Sequence, residues 1–166
     1  MDRATFRELA GSFPSGVTII TTIGDDRSPR GLTTQSFIGL STEPPLVLVS
    51  LDRTSRTLAS LRRSGVFIVN FLKAGSEDLS TRFATKADDK FDGVAWVASA
   101  VAAGAPILTD AITAYAECTV QNIIEEGDHV MFVGLVEGGR VLGGTPLLYY
   151  RRKYAAWPGE EPAPAL

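Results

Sequence analysis

Short runs of apolar and β-branched residues, each about the length of one strand, recur along this chain between segments rich in Gly and Pro. Residues 17–23, 46–51 and 66–72 are the clearest of these runs, and the first reads Val-Thr-Ile-Ile-Thr-Thr-Ile. β-Branched residues favour strands, and Gly and Pro favour the turns between them. Further strands are predicted at about residues 30–40, 94–98, 112–124, 129–141 and 145–151.

Helical patterns in the sequence are short. Thr5 and Glu8 form a capping-box pattern that predicts a helix over about residues 4–12. Residues 55–63 place leucines at helical spacing, and Ser76 is predicted to cap a third short helix. Because strands and helices do not alternate regularly, the pattern favours a mainly β fold, a β-barrel with short helices, over a Rossmann fold.

Length and charge exclude several classes of protein. The chain has 166 residues, 45% of them hydrophobic, which is enough for one globular domain. We place that domain at residues 1–155 and expect the Pro-rich residues 156–166 to form a flexible tail. A net charge of −3 makes nucleic acid an unexpected partner. No apolar run is long enough to span a membrane, and no signal-peptide core is visible, so a cytoplasmic protein is expected.

The strand predicted at 129–141 is apolar on both faces. Val130, Phe132 and Val136 lie on one side, with Met131, Val133 and Leu135 on the other. A barrel wall exposed to solvent has one polar face. Part of the outer wall is therefore expected to be covered, most simply by a second copy of the chain.

Two segments carry polar side chains suited to binding a ligand. Residues 52–57 place three hydroxyl residues and two arginines where a helix begins, which suits an anion, although an ordinary helix cap explains them as well. Residues 33–36 read Thr-Thr-Gln-Ser inside an otherwise apolar strand. Two of these must face the buried side and need polar partners, unless the strand is simply exposed to solvent.

The single His and the single Cys do not form a recognisable catalytic or metal-binding motif. Cys118 is expected to be a small buried hydrophobe rather than a reactive thiol. His129 follows Gly127 and Asp128 and would by default be a turn residue. No metal site is expected, and no Gly-rich phosphate loop is present.

Taken together, five segments in fixed order resemble the small flavin reductases that serve two-component monooxygenases. They are Gly-Leu-Thr-Thr-Gln-Ser at 31–36, Pro-Pro-Leu-Val-Leu-Val-Ser-Leu-Asp at 44–52, Lys-Phe-Asp-Gly at 90–93, Gly-Asp-His at 127–129 and Pro-Leu-Leu-Tyr-Tyr-Arg at 146–151. The resemblance implies an FMN-binding split β-barrel with Greek-key topology that works as a homodimer. It also implies hydride transfer from NADH or NADPH to N5 of FMN or FAD, and delivery of reduced flavin to a partner monooxygenase.

The resemblance also implies roles for particular residues. By analogy, one group lines the flavin ring and ribityl chain (Thr33, Thr34, Gln35, Ser36), and a second backs the ring (Ser50, Leu51, Asp52). Ser55 and Thr57 would bind phosphate, with Lys90 and Phe91 closing over it. His129 would be catalytic and lie near the nicotinamide. Gln35 stands where relatives often carry Asn, and Arg152 where they often carry Gly.

Two other functions fit the same sequence. One is a non-catalytic flavin-binding module on the same barrel, since a fold does not determine a function. The other is a dimeric interaction protein with an empty groove. The choices between FMN and FAD and between NADH and NADPH are left open by the sequence, as is the identity of the oxygenase.

Overall fold

The computed structural model describes residues 1–159, and the last part of the predicted tail, residues 160–166, lies outside the described residues. Twelve strands and three helices make up the described part of the chain. The strands are β1 (Ser15–Gly16), β2 (Thr18–Ile23), β3 (Pro29–Thr34), β4 (Phe37–Thr42), β5 (Pro45–Asp52), β6 (Val66–Leu72), β7 (Trp96–Ala98), β8 (Pro106–Leu108), β9 (Ile112–Glu126), β10 (His129–Val141), β11 (Leu147–Tyr150) and β12 (Lys153–Ala156). The helices are α1 (Arg3–Gly11), α2 (Arg56–Ser64) and α3 (Glu77–Ala84).

Seven strands form one antiparallel sheet in the order β3-β2-β6-β9-β10-β5-β4. Its two edge strands, β3 and β4, are consecutive in the chain and are joined by Gln35 and Ser36. The sheet must therefore curl until its two edges meet. Thr34 Oγ1 on β3 donates a hydrogen bond to Ser50 O on β5 (3.3 Å), which shows that the edges have come together. The mainly β prediction is confirmed; the split barrel, its Greek key and the homodimer stay predictions.

Two smaller sheets complete the strands. β1, β11 and β12 form one, and β7 pairs with β8 in the other. The strand predicted at 30–40 is wrong in one respect, because the chain breaks at Gln35 and Ser36 to change edges and so forms two strands. The sequence analysis also missed β1, β8 and β12, which are two to four residues long and too short to show a pattern.

The core lies on both sides of the central strands. Ile20, Val49 and Phe67 belong to one buried cluster, and Ile19 and Phe83 to another. Neighbouring residues of β2 enter different clusters because successive side chains point to opposite faces of a strand. On β10, Val130 and Phe132 are fully buried, whereas Met131 and Leu135 on the other face are only half-buried within one protomer.

The N-terminal caps of two helices differ from the sequence prediction. α1 starts at Arg3 because the Asp2 side chain accepts hydrogen bonds from the amides of Ala4 and Thr5, so the Thr5 capping box is wrong. Ser76 precedes α3 but makes no side-chain cap, since its hydroxyl donates to Ala111 O (3.2 Å). α2 is as predicted, with Ser55 as its cap.

Candidate functional site

A polar groove with a volume of about 220 Å³ lies where the two edges of the curled sheet meet. It brings together seven residues predicted from the sequence: Thr33, Thr34, Ser50, Asp52, Ser55, Lys90 and His129. These residues come from β3, β5, the start of α2, the segment after α3 and the start of β10. Sheet curling thus collects side chains that lie nearly 100 positions apart in the chain.

His129 is the first residue of β10 and lies directly opposite Asp52 of β5 in the sheet register. Gly127 and Asp128 make the tight turn before it. Gly127 is the first central residue of this turn and has a φ of +54°, a conformation that glycine adopts easily. His129 Nδ1 is 2.7 Å from Asp128 Oδ1, and this contact holds the pKa of the Asp128 carboxyl below its usual value. Nε2 is thereby left as the ring nitrogen that a ligand in the groove can meet.

The threonines of β3 contribute acceptors to the groove rather than donors. Thr33 Oγ1 donates to Ser80 O (2.7 Å), and Thr34 Oγ1 donates to Ser50 O. Each hydroxyl has a single proton, so these bonds use up its donor capacity and leave oxygen lone pairs. Ligand hydroxyls or ring N–H groups are therefore the partners that Thr33 and Thr34 can take.

The start of α2 forms the anion-accepting end of the groove. Asp52 Oδ1 accepts from Thr54 N and Thr54 Oγ1, both at 2.7 Å, and these bonds lower the pKa of the Asp52 carboxyl. Ser55 Oγ accepts from Thr57 N (3.2 Å) and caps the helix. The amides of Thr54 and Thr57 are thus already bonded, and the Ser55 hydroxyl, which only accepts in this contact, keeps its proton to donate to an anion.

Three cations stand around this end: Arg56, Lys86 and Lys90. Arg56 forms an ion pair with Asp88, which lowers the pKa of that carboxyl, and Lys86 Nζ donates to Thr54 Oγ1 (3.1 Å). Lys90 Nζ donates to the carbonyls of Gly31 (3.2 Å) and Phe83 (3.1 Å), and burial lowers its pKa. Lys90 therefore ties the segment after α3 to β3, besides adding positive charge.

Five of the predicted residues lie outside this groove. Leu51 is fully buried in the core, and Thr57 and Phe91 line an adjoining cavity. The Phe91 ring packs edge-on against Phe83 at 4.9 Å between centroids. Gln35 and Ser36 are exposed and border two other cavities, one of which shares Thr33 and Thr34 with the groove.

Sequence reasoning did not single out Arg56 or Lys86, nor Thr54 and Thr85, as site residues. Arg56 was visible only as one of two arginines near Ser55, and no local pattern distinguishes it from Arg53. Lys86 comes from a loop whose approach to Thr54 depends on tertiary folding. The hydroxyl residues and arginines of 52–57 were the local signal in the sequence that pointed to this end of the groove.

Another cavity is larger than this groove, with a volume of about 1040 Å³. Phe13, Phe37, Ile38 and Val141 are among its lining residues, and none of the groove's acids or lysines reaches it. Most residues that line this cavity are apolar, whereas the smaller groove combines lysines, hydroxyl groups, a carboxylate and an imidazole around one space, as chemistry on a charged cofactor requires. We therefore take the groove as the functional site.

The donor set of the groove fits a flavin nucleotide. Three cations and the start of a helix lie at one end, where a phosphate is favoured. The hydroxyl oxygens of Thr33 and Thr34 and the imidazole of His129 also line the groove, and a polyhydroxyl chain and a heteroaromatic ring edge find partners in them. Among the described residues, no three His, Cys, Asp or Glu side chains lie close enough to hold a metal ion.

A family model described as the flavin reductase like domain matches residues 10–158. The chain belongs to this family. The flavin reductase (NADH) of Kitasatospora aureofaciens is 42% identical over 163 residues, which cover 97% of this chain and 85% of that protein. The reductase subunit HsaB of a flavin-dependent monooxygenase from Mycobacterium tuberculosis is 40% identical, with 99% and 88% covered.

Solved structures of flavin reductases share the fold. The NADH:FAD oxidoreductase SgcE6 of Streptomyces globisporus, in complex with NAD and FAD fragments, superposes with a TM-score of 0.87 at 34% identity, covering 94% of this chain and 93% of that one. The flavin reductase resemblance inferred from the sequence is thus confirmed. No helix within residues 1–159 is long and apolar enough to cross a membrane.

Proposed function

We propose that this protein is an NAD(P)H-dependent flavin reductase that reduces FMN or FAD and supplies the reduced flavin to a partner monooxygenase. Membership of the flavin reductase family supports the activity, and the relatives named as monooxygenase reductase subunits support the partner. The observation that carries the proposal is the groove at the sheet edge, which joins an anion-accepting end to His129. The site of action is the cytoplasm, as expected for a protein that exchanges a nucleotide with another soluble enzyme.

The residues of the groove divide the work of binding. Arg56, Lys86 and the α2 start with Ser55 would hold the phosphate, and Lys90 would add to their positive field. Thr33, Thr34 and Ser50 would accept hydrogen bonds along the ribityl chain and the ring edge. Leu51 would support the flavin ring from the core. Asp52 would hold the loop that leads into α2 through its hydrogen bonds with Thr54.

His129 would contact the nicotinamide and set its orientation in the groove. When bound, the flavin supplies the hydride-accepting chemistry, so the protein needs placement and electrostatics rather than a nucleophile of its own. Asp128 holds His129 through Nδ1, which fixes the direction in which Nε2 points. Placement of this kind matters because small displacements of reacting groups cost large factors in rate.

Gln35, Ser36, Thr57 and Phe91 would act from next to the groove. Gln35 and Ser36 lie at the junction between β3 and β4, where a ring that extends past Thr34 would meet them. Thr57 and Phe91 line the cavity beyond Arg56 and Lys90 and would support these two cations from that side. We place the functional domain at residues 1–155, although β12 continues one residue further, to Ala156.

A homodimer forms part of the proposal. Phe13, Ile38 and Val141 are 78%, 55% and 77% exposed around the 1040 Å³ cavity, and Phe6 and Leu9 of α1 are also exposed. Large apolar side chains gathered in this way favour contact with another protein surface. A second copy of the chain would cover them together with the half-buried face of β10.

The test is NADH oxidation at 340 nm by purified protein with FMN, FAD or no added flavin, repeated with NADPH. We expect turnover that depends on added flavin and saturates with both substrates. Flavin binding without NADH or NADPH oxidation would contradict the proposal and support the non-catalytic binding module. Absence of flavin binding as well would favour the interaction protein.

A further inference from the structure

Arg53 lies beside the groove but is not one of its lining residues. Its position between Asp52 and Thr54 would suit phosphate binding, yet its guanidinium is used elsewhere. Arg53 Nε donates to Gly127 O (2.9 Å), and its backbone N donates to Asp128 O (3.0 Å). Both bonds reach the two residues that make the turn before His129.

A third contact of Arg53 is made to Glu125. Arg53 Nη1 is 2.7 Å from Glu125 Oε2, and Arg62 Nη2 binds the other oxygen of the same carboxylate at 2.5 Å. Together these two bonds lower the pKa of the Glu125 carboxyl. Glu125 lies on β9 just before the turn, and Arg62 lies in the last turn of α2. The turn is thus held from the β5–α2 loop and from α2 itself.

The turn needs such support because little else packs on it. Glu125, Glu126, Gly127 and Asp128 are all exposed, so beyond the strand pairing that ends at Glu126 and His129, the contacts from Arg53 are what hold the turn. His129 comes immediately after the turn, and its Nδ1 contact is to Asp128, a member of the same turn. Any movement of the turn therefore moves both the imidazole and the group that orients it.

We infer that Arg53 and Glu125 are positioning residues that hold His129 at the nicotinamide end of the groove. This inference rests on the proposed reductase activity and adds a role that the groove residues do not have. Arg53 acts on the reaction through the turn, without touching flavin or nicotinamide. Its loss should impair the hydride-transfer step and leave flavin binding intact.

The experiment compares Arg53→Ala with Arg63→Ala in NADH oxidation and in flavin titration. Arg63 is the matched control, because its Nε pairs with Asp25 (2.9 Å), away from the turn. We expect Arg53→Ala to lower kcat/KM for NADH about tenfold, with the flavin Kd changed less than twofold, and Arg63→Ala to match the wild type. Arg53→Lys keeps the charge but cannot reach Gly127 O and Glu125 together, so it should recover only part of the activity.

A double-mutant cycle separates positioning from a general loss of structure. If Arg53 acts through His129, adding Arg53→Ala to His129→Ala should cost little further activity, whereas independent effects would multiply. Should Arg53→Ala fold poorly, Glu125→Gln removes the ion pairs alone and should show the same selective loss in smaller measure.

The outcomes also distinguish this inference from the proposed function. A wild-type protein without flavin-dependent NADH oxidation would contradict the function itself. An active wild type with Arg53→Ala equal to Arg63→Ala would overturn the positioning role and leave the function standing. A weaker flavin Kd in Arg53→Ala, in step with the loss of turnover, would also overturn it and make Arg53 a phosphate ligand.

Discussion

The His129 side chain is 44% exposed and is held on one side by a single carboxylate, that of Asp128. Replacing it removes the group proposed to contact nicotinamide and leaves in place the residues proposed to bind phosphate. We expect His129→Ala to lower the rate of flavin reduction by NADH about tenfold or more, with flavin affinity unchanged. Stopped-flow reduction of the flavin-saturated protein measures the first quantity, and fluorescence titration the second. A loss of flavin affinity with an unchanged reduction rate would refute the assignment.

Cys118 illustrates a residue whose surroundings suppress its chemistry. It is buried in the core, and burial raises the pKa of its thiol to about 12. The thiolate is the reactive form, so native protein should react with Ellman's reagent at pH 8 only as fast as it unfolds. One thiol per chain should react at once in guanidinium chloride. Rapid labelling of the native protein would show that this part of the core opens freely.

At the scale of elements, the hairpin between β11 and β12 adopts an unusual conformation. Its two turn residues, Arg151 and Arg152, have φ angles of +46° and +64°, in the left-handed region that glycine adopts without strain. The sequence made the shape of this turn uncertain, because Arg152 stands where relatives often carry Gly. The structure retains the hairpin, with Tyr150 paired to Lys153 across the turn.

Arg152→Gly should therefore stabilise the protein by about 1 kcal/mol, since it relieves the left-handed conformation of a residue with a Cβ. Urea unfolding measures the change. Lys153→Gly is the matched control, because it removes a side chain of the same charge from extended backbone and should destabilise the strand. Equal effects of the two changes would mean that charge, not backbone strain, governs this hairpin.

The segment after α3 contacts the start of α2 at two points, through Lys86 to Thr54 and through Asp88 to Arg56. The Asp88 carboxylate is paired with Arg56, which we propose as a ligand of the flavin phosphate, so Asp88 and the phosphate would compete for the same guanidinium. We expect Asp88→Asn to tighten flavin binding two- to fivefold, a size suited to an exposed ion pair. Asp89→Asn removes the same charge one residue away and should leave the Kd unchanged. Isothermal titration with FMN measures both, and equal tightening in both variants would show a general charge effect.

Strands that depend on a local side-chain pattern were predicted well from the sequence. Features that depend on contacts between residues far apart in the chain were not. The apolar runs at 66–72 and 129–141 became β6 and β10 with the predicted bounds. The break at Gln35 and Ser36 was missed, because a change of sheet edge leaves no mark on side-chain alternation. Arg53 and Arg56 looked equivalent in sequence, but the structure turns Arg53 toward Gly127 and Arg56 toward the groove.

At the scale of the whole molecule, the exposed apolar surface around the 1040 Å³ cavity predicts self-association. Phe13→Glu should weaken the dimer, because it places a charge among side chains that a second copy would cover. Sedimentation equilibrium should show a dimer for the wild type and a lower association constant for the variant. Glu43, exposed on the β4–β5 turn, offers a control in Glu43→Gln, which should not change association. A wild type that stays monomeric at all concentrations would contradict the homodimer.

The join between β3 and β4 carries a further consequence. The two ends of the seven-stranded sheet are joined by the linking residues Gln35 and Ser36 and by a hydrogen bond between Thr34 and Ser50. These are few contacts for closing a sheet of this size. Because the groove is lined by β3 and by β5, a ligand bound in it contacts both ends of the sheet and holds them together. Binding to the folded state alone raises its stability by mass action. The resistance of the protein to proteases and heat would then rise and fall with the supply of free flavin.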